Sequence, residues 1–325
     1  MQYHRSEAKA WAREKLVGQW TTMITPFTAE DELDEKGLAA NVEHVLRLGT
    51  RGLGFSWNMG EFWSLTREER YRLMELAPQR VRGRAFTAFQ VTETCLKDVI
   101  AMARRAQELG FDLIILAAPY LVTKTEEQVI DWVSRVAEQV DIGIAFYNSP
   151  QFGIVLSARA LSRMADLPTL VAIKEASFNL QLSLDTHLEA GTKAVVSMPD
   201  EEIFFVGEPY GIRQQVMFAN TSDWRFDTAS SNHYVRFVDL ATRGHWEEAR
   251  ELYGKIRPIK AVSRKWWGRV AGRTGGALPV QMVKFWGELM GMAGGPVRAP
   301  LLPLTAAERE EMRRDLGGLG LVPSK

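Results

Sequence analysis

Eight short apolar runs of strand type, separated by longer stretches of helical spacing, constrain this chain more than any other feature of its sequence. The runs are Trp20–Thr25, Gly52–Ser56, Ala85–Gln90, Leu113–Ala117, Gly143–Tyr147, Leu170–Lys174, Ala194–Met198 and Gln215–Ala219. They recur roughly every 20 to 35 residues, which leaves room for the one crossover helix that each parallel βαβ unit needs. Between them, Glu35–Leu48, Arg67–Pro78, Glu93–Leu109, Glu126–Gln139 and Ala158–Ala165 carry apolar residues three and four apart with charges between, the pattern of a helix with one buried face. Asp34, Thr66, Thr92, Thr125 and Ser157 stand where a short polar side chain can cap a free helix N-terminus. Eight parallel strands alternating with helices fit a closed (β/α)8 TIM barrel better than an open doubly wound sheet.

The chain continues past the eighth run. Ser231–Arg243, Trp246–Ile256 and Pro279–Met290 read as helices before a Pro-rich stretch, PVRAPLLPL. Residues 1–230 are therefore expected to form the barrel with a charged helical lead-in, and residues 231–325 its last helix and a C-terminal helical extension. The aromatic content of Lys265–Gly268 and Phe285–Trp286 suggests that the extension packs on the barrel as one structural domain. Low-complexity stretches and short repeats are not seen.

Lysine plus arginine number 40 against 40 aspartates and glutamates, so there is no global positive field to attract nucleic acid or an anionic membrane. The single cysteine, Cys95, excludes an internal disulfide framework and a Cys-based zinc site within one chain. The five histidines are scattered without ligand spacing, and no metal or other cofactor is expected. GRTGGALP lacks the Gly-Lys-Ser/Thr of a phosphate loop, and the Gly52/Gly54 start of a dinucleotide fingerprint fails at Trp57. With no run of roughly 20 apolar residues and no signal-type apolar block at the start, a cytoplasmic protein is expected.

In barrels of this kind chemistry comes from the C-terminal ends of the strands. The fifth run ends in IAFYNSP and the sixth in VAIKEAS, which puts Tyr147 and Lys174 on neighbouring strand ends. A lysine that attacks a carbonyl must be neutral, and the apolar lead-in Leu170-Val171-Ala172-Ile173 is an environment that disfavours the ammonium. Bringing its pKa near neutrality costs roughly 4 kcal/mol of differential solvation. A phenol such as Tyr147 can then carry the proton transfers. The plainer alternative pairs Lys174 with Glu175 and makes Tyr147 a half-buried core aromatic.

These residues, with ITPF (Ile24–Phe27), Gly60-Glu61, YN-x-P (Tyr147–Pro150), IKEAS (Ile173–Ser177) and the late LPVQMVKFWGELMG and VRAPLLPLT, resemble the dihydrodipicolinate synthase and N-acetylneuraminate lyase family of class I pyruvate aldolases. The resemblance runs from Gly18 to about Thr305. It implies that Lys174 forms a Schiff base with a 2-oxo acid and that Tyr147 relays protons. It further implies that the loop before Gly60-Glu61 binds the acid's carboxylate, and that the protein is a homotetramer. Backbone N–H groups in a tight turn can hold a carboxylate without a cationic side chain.

The departures from the family pattern concern the substrate. Trp57-Asn58-Met59 replaces the usual Gly-Thr-Thr, Leu121 stands where synthases have a second tyrosine, and Phe152 where they have the arginine that grips the aldehyde's carboxylate. Asn58 retains a donor. Trp57, Asn58, Met59, Leu121 and Phe152 are thus the expected substrate-binding residues of a pocket suited to the pyruvate adduct of a bulky apolar or aromatic aldehyde, similar to the hydratase-aldolase branch. Dehydration or aldol cleavage of a 2-oxo-3-deoxy sugar acid is the alternative within the family, and a non-catalytic barrel the alternative outside it. Trp224, in NTSDWRF, is read either as a cover over the site or as a structural tryptophan.

Overall fold

The computed structural model describes residues 3–219 and 223–322, so Asn220–Ser222, within the segment expected near the site mouth, lie outside the described residues. Eight strands form one parallel sheet: β1 (Gly18–Thr22), β2 (Gly52–Phe55), β3 (Phe86–Gln90), β4 (Leu113–Ala117), β5 (Gly143–Asn148), β6 (Leu170–Glu175), β7 (Val195–Ser197) and β8 (Val216–Phe218). The order β7-β6-β5-β4-β3-β2-β1-β8 wraps the sheet into a nearly closed (β/α)8 TIM barrel. Between β7 and β8 the N–H of Phe218 donates to Oγ of Ser197 at 3.0 Å.

The helices are α1 (Ala8–Lys15), α2 (Glu35–Leu48), α3 (Arg67–Val81), α4 (Leu96–Glu108), α5 (Glu126–Ala137), α6 (Ala158–Met164), α7 (Leu180–Ala190), α8 (Ile203–Val206), α9 (His233–Arg243), α10 (Trp246–Arg273), α11 (Val280–Leu289) and α12 (Ala306–Gly318). Asp34, Thr66, Thr125 and Ser157 cap helices as their side chains predict. Thr92 does not: α4 starts after Cys95, and the Thr92 hydroxyl accepts instead from the N–H of Ala117 at 3.0 Å, tying β3 to the end of β4. Two helices run through prolines that looked like ends, α3 through Pro78 and α10 through Pro258 to a length of 28 residues. Packing overrides the loss of one hydrogen bond in each.

The lower end of the barrel is plugged from the N-terminus. The Tyr3 hydroxyl donates to the carbonyl of Asp112 and accepts from the N–H of Gly143, both at 2.7 Å. A Cβ at Gly143 would lie 2.8 Å from that oxygen, so only glycine leaves room for the plug.

The upper end is covered by the C-terminal helices. Gly287 of α11 sits against Ile24, just past β1, and against Trp224, just past β8. The Trp286 indole donates to the carbonyl of Arg225 at 3.1 Å. Nζ of Lys284 is 2.8 Å from Oε1 of Glu61, with both side chains buried. These contacts anchor the C-terminal helical part to the same face that carries the candidate chemistry. No helix among the described residues is long and apolar enough to cross a membrane.

Candidate active site

Alternation along a strand sends consecutive side chains to opposite faces, and this separates Lys174 from Glu175. The Glu175 carboxylate faces away, accepting from Oγ of Ser183 and from the N–H of Ser177. Lys174 and Tyr147 are paired Cα positions across β5 and β6. Nζ of Lys174 lies 4.7 Å from the Tyr147 ring centroid and 5.1 Å from that of Trp57. With both the lysine and the tyrosine buried and no carboxylate among the described residues paired to Nζ, desolvation brings the lysine's pKa down to about 7. Burial pushes the Tyr147 phenol up, with a hydrogen bond from Ser149 acting against it. At neutral pH about half of the amine is unprotonated beside a protonated phenol, which is the combination that carbonyl addition followed by proton transfer requires.

Trp57 reaches the lysine because Gly54 lies under it. A Cβ at Gly54 would meet the indole at 2.2 Å, so the empty position lets the ring lie inside the barrel, edge-on to Phe218 at 6.0 Å. Asn58-Met59-Gly60 then form one 3-10 turn, closed by the N–H of Gly60 to the carbonyl of Trp57 and followed by Glu61 in the left-handed region at φ 53°. The N–H groups of Asn58 and Met59 open this turn, where no preceding carbonyl of the turn can accept them.

Phe152 packs edge-on to Tyr147 at 5.5 Å and beside Phe62 at 6.3 Å. Outside this layer a cavity of about 480 Å3 opens, lined by Asn58, Phe62, Trp63, Tyr120, Phe152 and Leu278 among others. Leu121 also borders it but stands 79% exposed with φ 79°, so it belongs to the rim. Met59 is buried and does not line the cavity.

Sequence reasoning missed three of the groups gathered here. The Asn58 side-chain amide donates to Oε1 of Gln151 and its oxygen receives Nε2 of Gln90 at 3.3 Å. Oε1 of Gln90 is buried without a partner among the described residues. Gln90 is the last residue of β3, the position where barrel chemistry is sought, and that signal was available in the sequence. Phe62 and Gln151 had no such marker.

Trp224 is packed as a structural residue, 1% exposed, its indole donating to the carbonyl of Thr22 at 3.3 Å. The one group of carboxylates among the described residues arranged like metal ligands is Asp200, Glu201 and Glu202. The Lys260 ammonium already lies among them, 2.6 Å from Asp200 and 2.5 Å from Glu201.

Comparison with known proteins extends the resemblance. The model of the dihydrodipicolinate synthetase family matches residues 15–318. The chain is 27% identical over 307 residues to the 4-hydroxy-tetrahydrodipicolinate synthase of Pelobacter propionicus, covering 94% of this chain and 99% of that one. It is 26% identical over 295 residues to the enzyme of the same name from Bacillus velezensis, covering 89% and 94%. Among solved structures, dihydrodipicolinate synthase from Aquifex aeolicus superposes with a TM-score of 0.81 at 22% identity, over 95% of this chain and all of that one. YagE, a prophage protein of the dihydrodipicolinic acid synthase family from E. coli K12 solved in complex with pyruvate, gives 0.80 at 22% identity, over 94% and 99%.

Proposed function

The chain belongs to the dihydrodipicolinate synthetase family of class I, pyruvate-dependent lyases, and from that premise we propose that Lys174 forms a Schiff base with a pyruvate-type 2-oxo acid whose partner is a bulky apolar or aromatic aldehyde. The carrying observation is the position of Lys174, desolvated to a pKa of about 7 and stacked against Tyr147. The neutral Nζ attacks C2 of the 2-oxo acid, forming a C–N bond while the carbonyl oxygen takes up a proton. The carbinolamine hydroxyl then leaves as water with a second proton, and nitrogen keeps one hydrogen and a positive charge. The iminium withdraws electrons from C3, so a carbon–carbon bond to C3 can form or break. Tyr147 is the proton donor and acceptor for these steps. The turn at Trp57-Asn58-Met59 receives the carboxylate on its free N–H groups.

The aldehyde assignment rests on the wall of the adjoining cavity. Phe62, Trp63, Tyr120, Phe152 and Leu278 supply apolar area that stabilises an aromatic ring by about 25 cal/mol per Å2 covered. Each sugar hydroxyl left without a partner there would cost roughly 1–3 kcal/mol. The Gln90–Asn58–Gln151 amides, together with Thr123 and Lys124 of the cavity lining, favour the second reading, a 2-oxo-3-deoxy sugar acid, because they offer polar contacts to its hydroxyls. A homotetramer and a cytoplasmic location accompany the proposal. The exposed Leu121 and Val122 beside the cavity support association through this rim, which light scattering tests.

The test of the chemistry is to reduce the protein with borohydride in the presence of pyruvate and map the modified peptide. A reduced pyruvyl group on Lys174 is expected; labelling elsewhere, or none on folded protein, overturns the assignment.

A further inference from the structure

A Schiff base turns Lys174 from an amine that can be neutral into an iminium that must be charged to act as an electron sink. The pocket around Nζ is therefore required to tolerate a cation in the working state. Among the described residues no carboxylate does this, since Glu175 faces the other way and is engaged by Ser183 and Ser177. What surrounds Nζ is aromatic: the Tyr147 ring at 4.7 Å and the Trp57 ring at 5.1 Å, both within the range in which a ring quadrupole attracts a cation. Indole is the strongest of the aromatic faces for this purpose, and the interaction grows as water is excluded.

Trp57 reaches that place by packing over Gly54. Its N–H is buried with no acceptor among the described residues, and the ring occupies the space that Gly54 leaves open. The N–H groups of Trp11, Trp20 and Trp132 are buried without an acceptor among the described residues as well, so it is the position of the ring, not the missing hydrogen bond, that sets Trp57 apart. The feature that this placement does satisfy is the approach of the indole face to Nζ.

We propose that Trp57 is the residue that holds the cationic Schiff base, presenting its indole face to the iminium nitrogen of Lys174. The proposal rests on the assignment of Lys174 as the Schiff-base lysine. An aromatic face stabilises the iminium without donating to or accepting from it, so the nitrogen keeps its electron-withdrawing power. A carboxylate at the same place would neutralise that charge by proton transfer or ion pairing.

The experiment replaces Trp57 by tryptophans carrying one, two and three ring fluorines, introduced at that position alone. Fluorine drains the ring face while leaving shape nearly unchanged. The reading is the pyruvate concentration that gives half-maximal labelling of Lys174 in a short borohydride pulse at pH 9, about two units above the pKa of the buried amine, with the pH dependence of labelling recorded for each variant. It is expected to rise stepwise, reaching about tenfold with three fluorines, with the melting temperature unmoved. Trp57→Phe should fall between wild type and Trp57→Leu, which loses at least about tenfold. A flat fluorine series on a protein that labels normally at Lys174 overturns the role of Trp57 alone. Absence of a pyruvyl label on Lys174 in the wild-type protein overturns the Schiff-base assignment and this inference with it.

Discussion

Tyr147 and Lys174 are register partners across β5 and β6, and that pairing brings the amine to 4.7 Å from the phenol ring. Removal of the hydroxyl alone tests what the pairing is for. Tyr147→Phe is expected to keep the fold and the pyruvyl adduct at Lys174 while turnover falls by roughly 10²-fold or more. Wild-type turnover in that variant would return Tyr147 to a packing role.

The depressed pKa of Lys174 makes two measurable claims. As a nucleophile it is active when unprotonated, so the initial rate of borohydride trapping with pyruvate should rise with pH through about 7 and then level off. A limb near 10 instead would show an ordinary, hydrated lysine.

The same shift is linked to stability. The lysine's pKa falls from an ordinary 10.5 to about 7 in the folded chain, so between those values the unfolded chain binds the extra proton and stability rises with pH. Below pH 7 both states are protonated and the cost is complete, on the order of 5 kcal/mol for a shift from 10.5 to about 7. Lys174→Met should therefore be more stable than wild type at pH 6, with the gap narrowing towards pH 10. Urea unfolding at the two pH values measures it; a pH-independent gap contradicts the shift.

Phe152 separates the aldehyde classes. Aromatic aldehydes with pyruvate, or the matching benzylidene-pyruvates in cleavage, should exceed 2-oxo-3-deoxy sugar acids by at least about tenfold in kcat/KM, a factor needing only about 1.4 kcal/mol. Phe152→Ala should lower that ratio mainly by weakening the aromatic substrate. A preference for sugar acids in the wild-type protein would favour the dehydratase reading.

The buried ion pair between Lys284 and Glu61 predicts a strong coupling. Lys284→Met alone leaves the carboxylate buried without its cation and should destabilise the protein by about 3–5 kcal/mol. The double variant Lys284→Met with Glu61→Leu should recover much of that loss in stability. Two equal, additive losses in denaturant titrations would show that the pair does not interact.

Strand positions and four of the five capping residues were legible in the sequence because apolar period and short polar caps are local signals. The helix α7, Leu180–Ala190, is not among the expected helices, and the helix expected to end at Ile256 runs on through Pro258 to Arg273. Lys174 and Tyr147 were legible as strand-end residues. Trp57 is legible as a residue of the substrate-binding turn, but its approach to Lys174 is not, and only the absence of a Cβ at Gly54, three residues earlier, hints that the ring turns inward. Leu121 does border the cavity, but its exposed position at the rim, with φ 79°, has no local signal in the sequence. The amides of Gln90 and Gln151 come together with Asn58 only through tertiary contact, across 32 and 93 residues.

The bond between Lys284 and Glu61 joins positions 223 residues apart, and its barrel end lies directly after the turn of Trp57, Asn58 and Met59. Lys284 of α11 thus holds the residue that directly follows the turn assigned to the 2-oxo acid. Sequence drift in α11 has a route to retune substrate preference while every strand of the barrel stays as it is.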